Sequence, residues 1–140
     1  RSMLSWEKEG ANMTQTHVLV FCDEPGIAGL FACVCEDEGY LTSVTDTVDD
    51  TLTVLRTSLH PLIVIAERDH SSSHPDGPFF QTIHDHPDLY GRHRYIATHA
   101  WEIAKAERQM LDAMGVRVFG VPFPIEQLTR AVDALAEELA

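Results

Sequence analysis

The chain has 140 residues, of which 44% are hydrophobic, and its 22 acidic and 10 basic residues give a formal net charge of −12. This length and composition predict one globular domain with a sizeable core and argue against disorder. The excess of acid disfavours nucleic acid and anionic membranes as partners, because both are bound through clustered Lys and Arg.

The cysteines and the amino terminus indicate where the protein resides. Cys22, Cys33 and Cys35 form no regular framework, which is typical of reduced thiols in a cytoplasm, and we expect each to pack as a small core hydrophobe. No apolar stretch is long enough for a signal peptide or a membrane span, so we expect a soluble cytoplasmic protein. Residues 1–15 are interpreted as a flexible tail or as a cloning or upstream remnant, and residues 16–140 as the domain.

Short apolar runs alternate with helical stretches from His17 onward. The β-prone runs predict five strands, at residues 18–22, 40–45, 61–66, 94–98 and 116–121. Helices are expected between and after them, from after the break at residues 23–26 to about residue 38, then over about residues 49–58, 78–84 and 102–114 and from Ile125 onward, with Gly39 and Gly115 as helix stops.

The apolar spacing within the helices predicts which faces are buried. In the first helix we expect Ile27, Leu30, Phe31 and Val34 to share one face. In the last helix, apolar residues at 125, 128, 132, 135 and 139 form one stripe. Five strand–helix pairs imply an α/β fold with a doubly wound parallel sheet and helices on both faces, whose sites lie at the carboxyl ends of the strands.

Several segments, taken in order, resemble response-regulator receiver domains. Val18 to Gly26 is similar to their first strand, which usually ends in two acids followed by Glu-Pro. Further similar pieces are Glu36 to Tyr40, Pro61 to Ala66, Asp76-Gly77, Met114 to Val116 and Val121 to Phe123. The resemblance covers the chain from about His17 to the end and implies a flavodoxin-like fold of five strands in the order 2-1-3-4-5.

The resemblance also implies a site. In this family, acids after strand one hold Mg²⁺ beside an Asp after strand three, which takes a phosphoryl group from a histidine kinase. A Thr or Ser on strand four and a Lys on strand five contact the phosphate. Asp23 and Glu24 fall at the acidic positions, Thr98 at the switch position, and Pro122 at the position of a cis peptide.

Other family positions are changed. The phosphoacceptor position falls on Glu67, whose carboxylate extends about 1.5 Å farther than that of Asp, so in-line attack loses its geometry. The strand-five Lys position falls on Val121 and the first acid on Cys22. Val118 occupies a position that is often aromatic, and His99 one that is usually small. The resemblance therefore implies an atypical receiver, or pseudo-receiver, without the phosphoacceptor Asp and the strand-five Lys.

Three interpretations of Glu67 stay open: a decayed or repurposed site, a fixed mimic of the phosphorylated state, or an acceptor that still takes phosphate, with Asp69 as a second candidate. We expect no cofactor, and Asp23, Glu24 and Glu67 are only a candidate site for weak Mg²⁺ binding. The polar loop after Glu67 is longer than usual, and it contains His70 and His74.

Two further site types are disfavoured. The histidine pairs 70/74 and 84/86 lack the four ligands of a structural zinc site, and we expect His84 and His86 to cap the third helix. A flavin or nucleotide site would need phosphate-binding backbone after strand one, where Asp23 and Glu24 would repel phosphate. No catalytic constellation stands out, so enzymatic activity is not expected.

The function implied is two-component-type signal transduction by protein contact, independent of aspartyl phosphorylation. The expected partner is a kinase, an output domain, an adaptor or a second copy. It would dock on the face of helix four, strand five and helix five, including exposed parts of Trp101 to Arg108 and of Glu126 to Glu138. The alternatives are a receiver that is still phosphorylated and, from another class, a small flavin- or nucleotide-binding flavodoxin-like protein. We expect a stand-alone receiver or a fragment of a longer protein.

Overall fold

The structure is a computed structural model, and it describes residues 16–67, 79–100 and 102–140. Within these ranges five strands and six helices follow one another along the chain. They are β1 (His17–Phe21), α1 (Pro25–Asp37), β2 (Leu41–Thr45), α2 (Val48–Thr57), β3 (Leu62–Glu67), α3 (Phe79–His84), α4 (Pro87–Arg92), β4 (Arg94–His99), α5 (Lys105–Ala113), β5 (Arg117–Gly120) and α6 (Ile125–Leu139).

The five strands form one parallel sheet in the order β2-β1-β3-β4-β5. The central strands β1 and β3 consist of apolar residues that are buried on both faces of the sheet, apart from residues at the strand ends. This is the pattern of a parallel sheet covered by helices on both sides. The predicted fold class and strand order are confirmed.

The alternation of side chains in the strands divides the core into two layers. Val18 and Val20 of β1 point to the layer that contains α1 and α6. Leu19 and Phe21 point to the opposite layer, which α2, α3, α4 and α5 cover. In that second layer Phe79 packs edge-on against Phe21 and Phe80, with ring centroids 5.1 Å apart in both pairs. Both faces of the sheet are thus closed by helices.

The predicted elements are present, with shifted ends and one addition. The strands begin and end within one residue of the predicted bounds, whereas the helix predicted over residues 102–114 is the shorter α5. Gly39 and Gly115 follow α1 and α5 with φ of +96° and +77°, as expected for glycines that stop helices. The short helix α4, which begins at Pro87, was not predicted.

The prediction for the inward face of α1 was wrong in part, because Phe31 is buried as predicted but Ile27 and Leu30 are not. Ala28, Phe31 and Cys35 are buried, whereas Ile27 and Leu30 are 37% and 53% exposed. The helix is apolar around much of its circumference, so its sequence does not fix its rotation about its axis. The small side chains of Ala28 and Cys35 lie in the core layer above β1, and the larger Ile27 and Leu30 remain at the surface.

The cysteines also differ in burial from what was predicted. Cys22 and Cys35 are buried, as predicted, but Cys33 is exposed, so the prediction that all three are core hydrophobes was wrong. Burial, together with the carboxylates of Asp133, Glu38 and Glu36, raises the pKa of Cys35 to about 11. The Cys35 thiol is therefore protonated at neutral pH, and it is the kind of buried cysteine that packs without reacting.

A buried histidine fastens the amino-terminal edge of the sheet. His93, just before β4, is fully buried and its Nδ1 accepts a hydrogen bond from the Leu62 N–H at 2.9 Å. Its Nε2–H donates to the Leu55 carbonyl oxygen at 2.9 Å. These bonds connect the end of α2, the start of β3 and the start of β4. Burial lowers the pKa of His93, so the neutral ring is the folded form.

The same edge carries a surface ion-pair cluster. Glu138, near the end of α6, contacts Arg94 of β4 at 3.1 Å and Arg117 of β5 at 3.2 Å.

His86 closes α3, as predicted, because its Nδ1 forms a hydrogen bond with the Thr82 carbonyl oxygen at 2.8 Å. The exposed His84 ring lies beside Asp85. Among the described residues, no helix is long and apolar enough to cross a membrane. The predicted tail over residues 1–15 lies outside the described residues.

Candidate functional site

The predicted site residues follow strands that are neighbours in the sheet. Glu67 ends β3 and pairs in register with Thr98 of β4, while Phe21, at the end of β1, pairs with Ala66. His99 pairs in turn with Gly120 of β5. Because parallel strands end at the same edge, this register brings Asp23, Glu67, Thr98 and Val121 to one edge of the sheet.

Cys22 stands where the resemblance implies an acid, and it behaves as a buried thiol. Only 3% of its surface is exposed, and its Sγ–H points to the Glu24 carbonyl oxygen at 3.7 Å. Burial raises the pKa of Cys22, and the nearby carboxylates of Glu67, Asp23 and Glu24 raise it further. The thiol therefore stays protonated near neutral pH, and it supplies neither a negative charge nor a hard oxygen ligand.

The carboxylate of Glu24 serves the start of α1. Glu24 is the N-cap residue, and its Oε1 accepts a hydrogen bond from the Gly26 N–H at 3.3 Å. A carboxylate in this position also compensates the positive end of the helix dipole. Two of the family's acidic positions thus hold a protonated thiol and the exposed Asp23, and the Glu at the third is engaged as a helix cap.

The carboxylates at this edge are the candidate Mg²⁺ ligands. In the part of the chain that the structure describes, no three His, Cys, Asp or Glu side chains are grouped to hold one metal ion. Mg²⁺ prefers carboxylate oxygens and keeps several of its waters, so Asp23, Glu24 and Glu67 would hold it, and we derive no step through a metal. Weak Mg²⁺ binding at these residues stays a prediction, which titration of the protein with Mg²⁺ would test.

Thr98 and His99 form the end of β4. Thr98 is 1% exposed, which agrees with both the switch role and a plain core role for a β-branched residue. The His99 carbonyl oxygen accepts a hydrogen bond from the Val121 N–H at 2.7 Å, so the residue after β5 is tied to β4. A Cβ on Gly120 would lie 3.4 Å from the His99 ring, so Gly120 leaves room for this larger residue.

The end of β5 carries Val121 in place of the basic residue. Val121 is 46% exposed, and the peptide bond between Val121 and Pro122 is cis, the geometry that the resemblance implies. Val118, at the position that is often aromatic, is partly buried against the core layer under α5. The position to which the resemblance assigns the phosphate-contacting Lys therefore presents an apolar side chain to solvent.

A pocket of about 340 Å³ opens between α1 and the segment after β5. Ile27 and Leu30, the two side chains that α1 leaves exposed, form one wall. Glu67 and Thr98 lie at its polar end, and the remaining described lining residues are Phe31, Ala100, Val121, Pro122, Phe123 and Ile125. Phe31 and Phe123 stack with centroids 6.3 Å apart. Sequence reasoning missed this pocket, because it assigned Ile27 and Leu30 to the core.

Several predicted residues lie outside the described part of the chain. They are Asp69, the loop histidines His70 and His74, the Asp76-Gly77 pair and Trp101. The second phosphoacceptor candidate, Asp69, therefore stays a prediction.

The chain is similar to solved structures of receiver domains. A CheY-like response-regulator receiver domain protein from Methanospirillum hungatei JF-1 matches with a TM-score of 0.74 at 13% identity, covering 89% of this chain and 96% of that chain. The beryllofluoride-activated NtrC4 receiver domain dimer matches with a TM-score of 0.73 at 18% identity, covering 89% and 98%. The receiver domain of the Francisella response regulator 1452 matches with a TM-score of 0.73 at 19% identity, covering 90% and 100%.

No family model and no curated protein sequence matches the chain. At these identities the structural matches establish the fold, and they leave the site to be argued from its own residues. The chain has the fold of response-regulator receiver domains.

Proposed function

We propose that this chain is a two-component-type signalling module that acts by protein contact, independently of aspartyl phosphorylation. The observation that carries the proposal is the composition of one pocket, in which Glu67 and Val121 both take part. These are the positions that the resemblance assigns to the phosphoacceptor Asp and to the phosphate-binding Lys. Both ends of the phosphoryl switch are changed, and the receiver fold around them is retained.

The electrostatics of the edge support this proposal. Phosphoryl transfer needs cations that offset the charge of the incoming phosphate. None of the described residues that line the pocket is basic, and Glu67 adds a carboxylate. Asp23 and Glu24 lie on the adjacent strand end, and Cys22 contributes no metal ligand. An approaching phosphate would therefore meet negative charge at this edge.

The direct test is incubation with acetyl phosphate and Mg²⁺, followed by intact mass measurement. We expect the mass of the protein to stay unchanged, while a receiver domain that keeps the Asp and the Lys gains one phosphoryl group under the same conditions. A stoichiometric acyl phosphate on this chain would overturn the proposal in favour of a working receiver. In that case Glu67→Gln and Asp69→Asn, tested separately, would identify the acceptor.

The alternative from another class is tested by a spectrum. A flavin- or nucleotide-binding protein of this fold would retain its ligand through purification or bind it when it is added. We expect no visible flavin absorption and no saturable binding of flavin mononucleotide or ATP. A bound flavin in the purified protein would move the chain to that class.

The proposed contact surface is the face of α5, β5 and α6, and its partner is a kinase, an output domain, an adaptor or a second copy. β5 is the last strand of the sheet, and its described residues are only partly buried. Both charge signs are exposed around it, with Lys105 and Arg108 on α5 and Glu126 and Arg130 on α6. Mixed charge of this kind can be self-complementary across a two-fold axis, and one structural neighbour is a receiver domain dimer.

Light scattering over a range of concentrations tests the homodimer. If a second copy is the partner, Arg130→Glu on α6 weakens self-association, and Arg56→Glu on α2, away from this face, leaves it unchanged. A protein that stays monomeric at all concentrations would leave the partner among other proteins. An intracellular setting without a nucleic-acid partner, a membrane partner or enzymatic activity belongs to the same proposal.

A further inference from the structure

The pocket between α1 and the end of β5 combines an apolar wall with a carboxylate. We propose that it binds a small organic ammonium ion with an apolar body, such as an alkylamine. The ammonium group would pair with Glu67 and the apolar body would cover Ile27, Leu30, Val121 and Phe123. This inference goes beyond the proposed function and stands without it.

The apolar wall is unusual because it is built from exposed side chains. Leu30 is 53%, Val121 46% and Ile27 37% exposed, and all three line the same pocket. Three of the six large hydrophobic residues that are exposed in the described chain are thus gathered here. Scattered single hydrophobic residues are ordinary on a surface, whereas a cluster around a concave pocket is typical of a binding site.

The pocket also has a size and a floor suited to a small ligand. Its volume of about 340 Å³ falls at the small end of ligand pockets, which span roughly 300–1,000 Å³. The stacked rings of Phe31 and Phe123, and the contact of Phe123 with Phe119 at 5.2 Å, hold its floor in place. The apolar wall is therefore backed by side chains of the core layer and not by a loop alone.

The positive charge of the proposed ligand is inferred from the carboxylate of Glu67, which lines the pocket. Glu67 is the only titratable group among the described lining residues. A carboxylate has lone pairs for several donors, so Glu67 can accept from an ammonium group in addition to its existing interactions. The net charge of −12 further favours the approach of cations.

An anionic ligand is disfavoured although two helices begin near the pocket. The N-terminus of α1 is already capped by Glu24, whose Oε1 accepts from the Gly26 N–H, and residue N1 is a proline without an N–H. The first turn of α6 carries Glu126. The positive ends of both helices are thus offset by carboxylates of the chain itself.

The test is calorimetric titration of the whole chain with butyl-, hexyl- and octylammonium. Hexanoate, an anion, and hexanol, which is neutral, are titrated for comparison. We expect saturable one-to-one binding of the ammonium series, tightening by up to about fourfold per added methylene, and no binding of hexanoate. Equal affinity for butyl- and octylammonium would contradict the apolar wall. Equal affinity for hexylammonium and hexanoate, or no saturable binding at all, would overturn the proposal.

Two pairs of variants separate the two parts of the site. Glu67→Gln should weaken hexylammonium about tenfold or more and leave hexanol unchanged, because only the charge-assisted bond is lost. Glu38→Gln, the same change at the far end of α1, should affect neither ligand. Leu30→Ser should weaken both ligands, whereas Leu59→Ser, at a residue 87% exposed outside the pocket, should not. An unchanged hexylammonium affinity in Glu67→Gln would also overturn the proposal.

Discussion

At the amino-terminal edge of the sheet, a buried histidine joins three elements through two backbone hydrogen bonds, and ion pairs tie α6 to β4 and β5. At the carboxyl-terminal edge, Ile27, Leu30 and Val121 remain exposed around a pocket that contains Glu67. The first edge is joined by hydrogen bonds and ion pairs, although Leu41 and Leu59 are exposed there. The second gathers three exposed apolar side chains and a carboxylate around one pocket. From this difference we infer that the polar contacts of the first edge serve stability, and that the second edge is the one available for the proposed binding.

The largest expected effect is at His93. His93→Ala removes the acceptor of the buried Leu62 N–H and the donor to the Leu55 carbonyl, and it leaves a cavity. We expect the free energy of unfolding to fall by about 3 kcal/mol, measured by urea denaturation. His60→Ala, at an exposed histidine, should change it by less than about 0.5 kcal/mol. Similar losses in both variants would remove the contrast between buried and exposed histidines.

The pH dependence tests the same edge without a deletion. The pKa of His93 is lowered in the folded state, so the unfolded chain binds the proton more readily. Stability should be fully present above the ordinary histidine pKa of about 6.5, and it should fall as the pH drops below that value towards the lowered folded pKa. The slope from this one group is at most about 1.4 kcal/mol per pH unit. His17, whose pKa is also lowered by burial, adds in the same direction.

Urea denaturation at pH 7.5, 6.5 and 5.5 measures this dependence. His93→Asn is the control, because Asn keeps hydrogen-bonding groups and does not titrate. The wild-type protein should lose more stability over this range than the variant does. Parallel curves for the two proteins would mean that His93 does not carry the effect.

The surface ion pairs should contribute less. Glu138→Gln weakens the contacts with Arg94 and Arg117, whose side chains are 31% and 40% exposed, and should cost about 0.5–1 kcal/mol, decreasing with added salt. Asp112→Asn breaks the more exposed pair with Arg108 on α5 and should cost less than about 0.5 kcal/mol. A larger loss for Asp112→Asn would contradict the view that α6 is fastened at this edge.

The smallest effect on stability is expected at the exposed side chains of the pocket. Leu30→Ser should change the free energy of unfolding by less than about 0.5 kcal/mol, because the side chain is already half exposed. Phe31→Ala, one residue further along α1 but buried, should cost about 3 kcal/mol. Comparable losses in the two variants, measured by urea denaturation, would mean that the exposed wall contributes to folding.

The sheet could be predicted because the sequence patterns that indicate its strands and helices are local. The apolar runs of β1 and β3 are nearly continuous, and the stripe at 125, 128, 132, 135 and 139 leaves α6 one face to bury. Leu128, Val132 and Leu135 are indeed buried, and residues 125 and 139 pack against the same layer. The rotation of α1 could not be predicted, because apolar residues surround it and contacts with β1 and α6 decide which of them are covered.

The site could be predicted only in part, because the sequence signals are local and the pocket depends on contacts between distant segments. Resemblance placed Asp23, Glu67, Thr98 and Val121 at strand ends, and the parallel register brings those ends to one edge. The pocket depends on the rotation of α1 against the segment after β5, which no local pattern specifies. His93 was missed because its partners Leu62 and Leu55 lie 31 and 38 residues away in the chain.

The central claim is a receiver fold whose carboxyl-terminal edge no longer responds to phosphate. The most direct measurement is the amide NMR spectrum of the full chain with and without beryllofluoride and Mg²⁺, a stand-in for the phosphoryl group. We predict that the resonances of residues around Glu67, Thr98 and Val121 stay unchanged at saturating reagent. Saturable shifts at these three positions would contradict the account and would mean that the edge still binds a phosphoryl group.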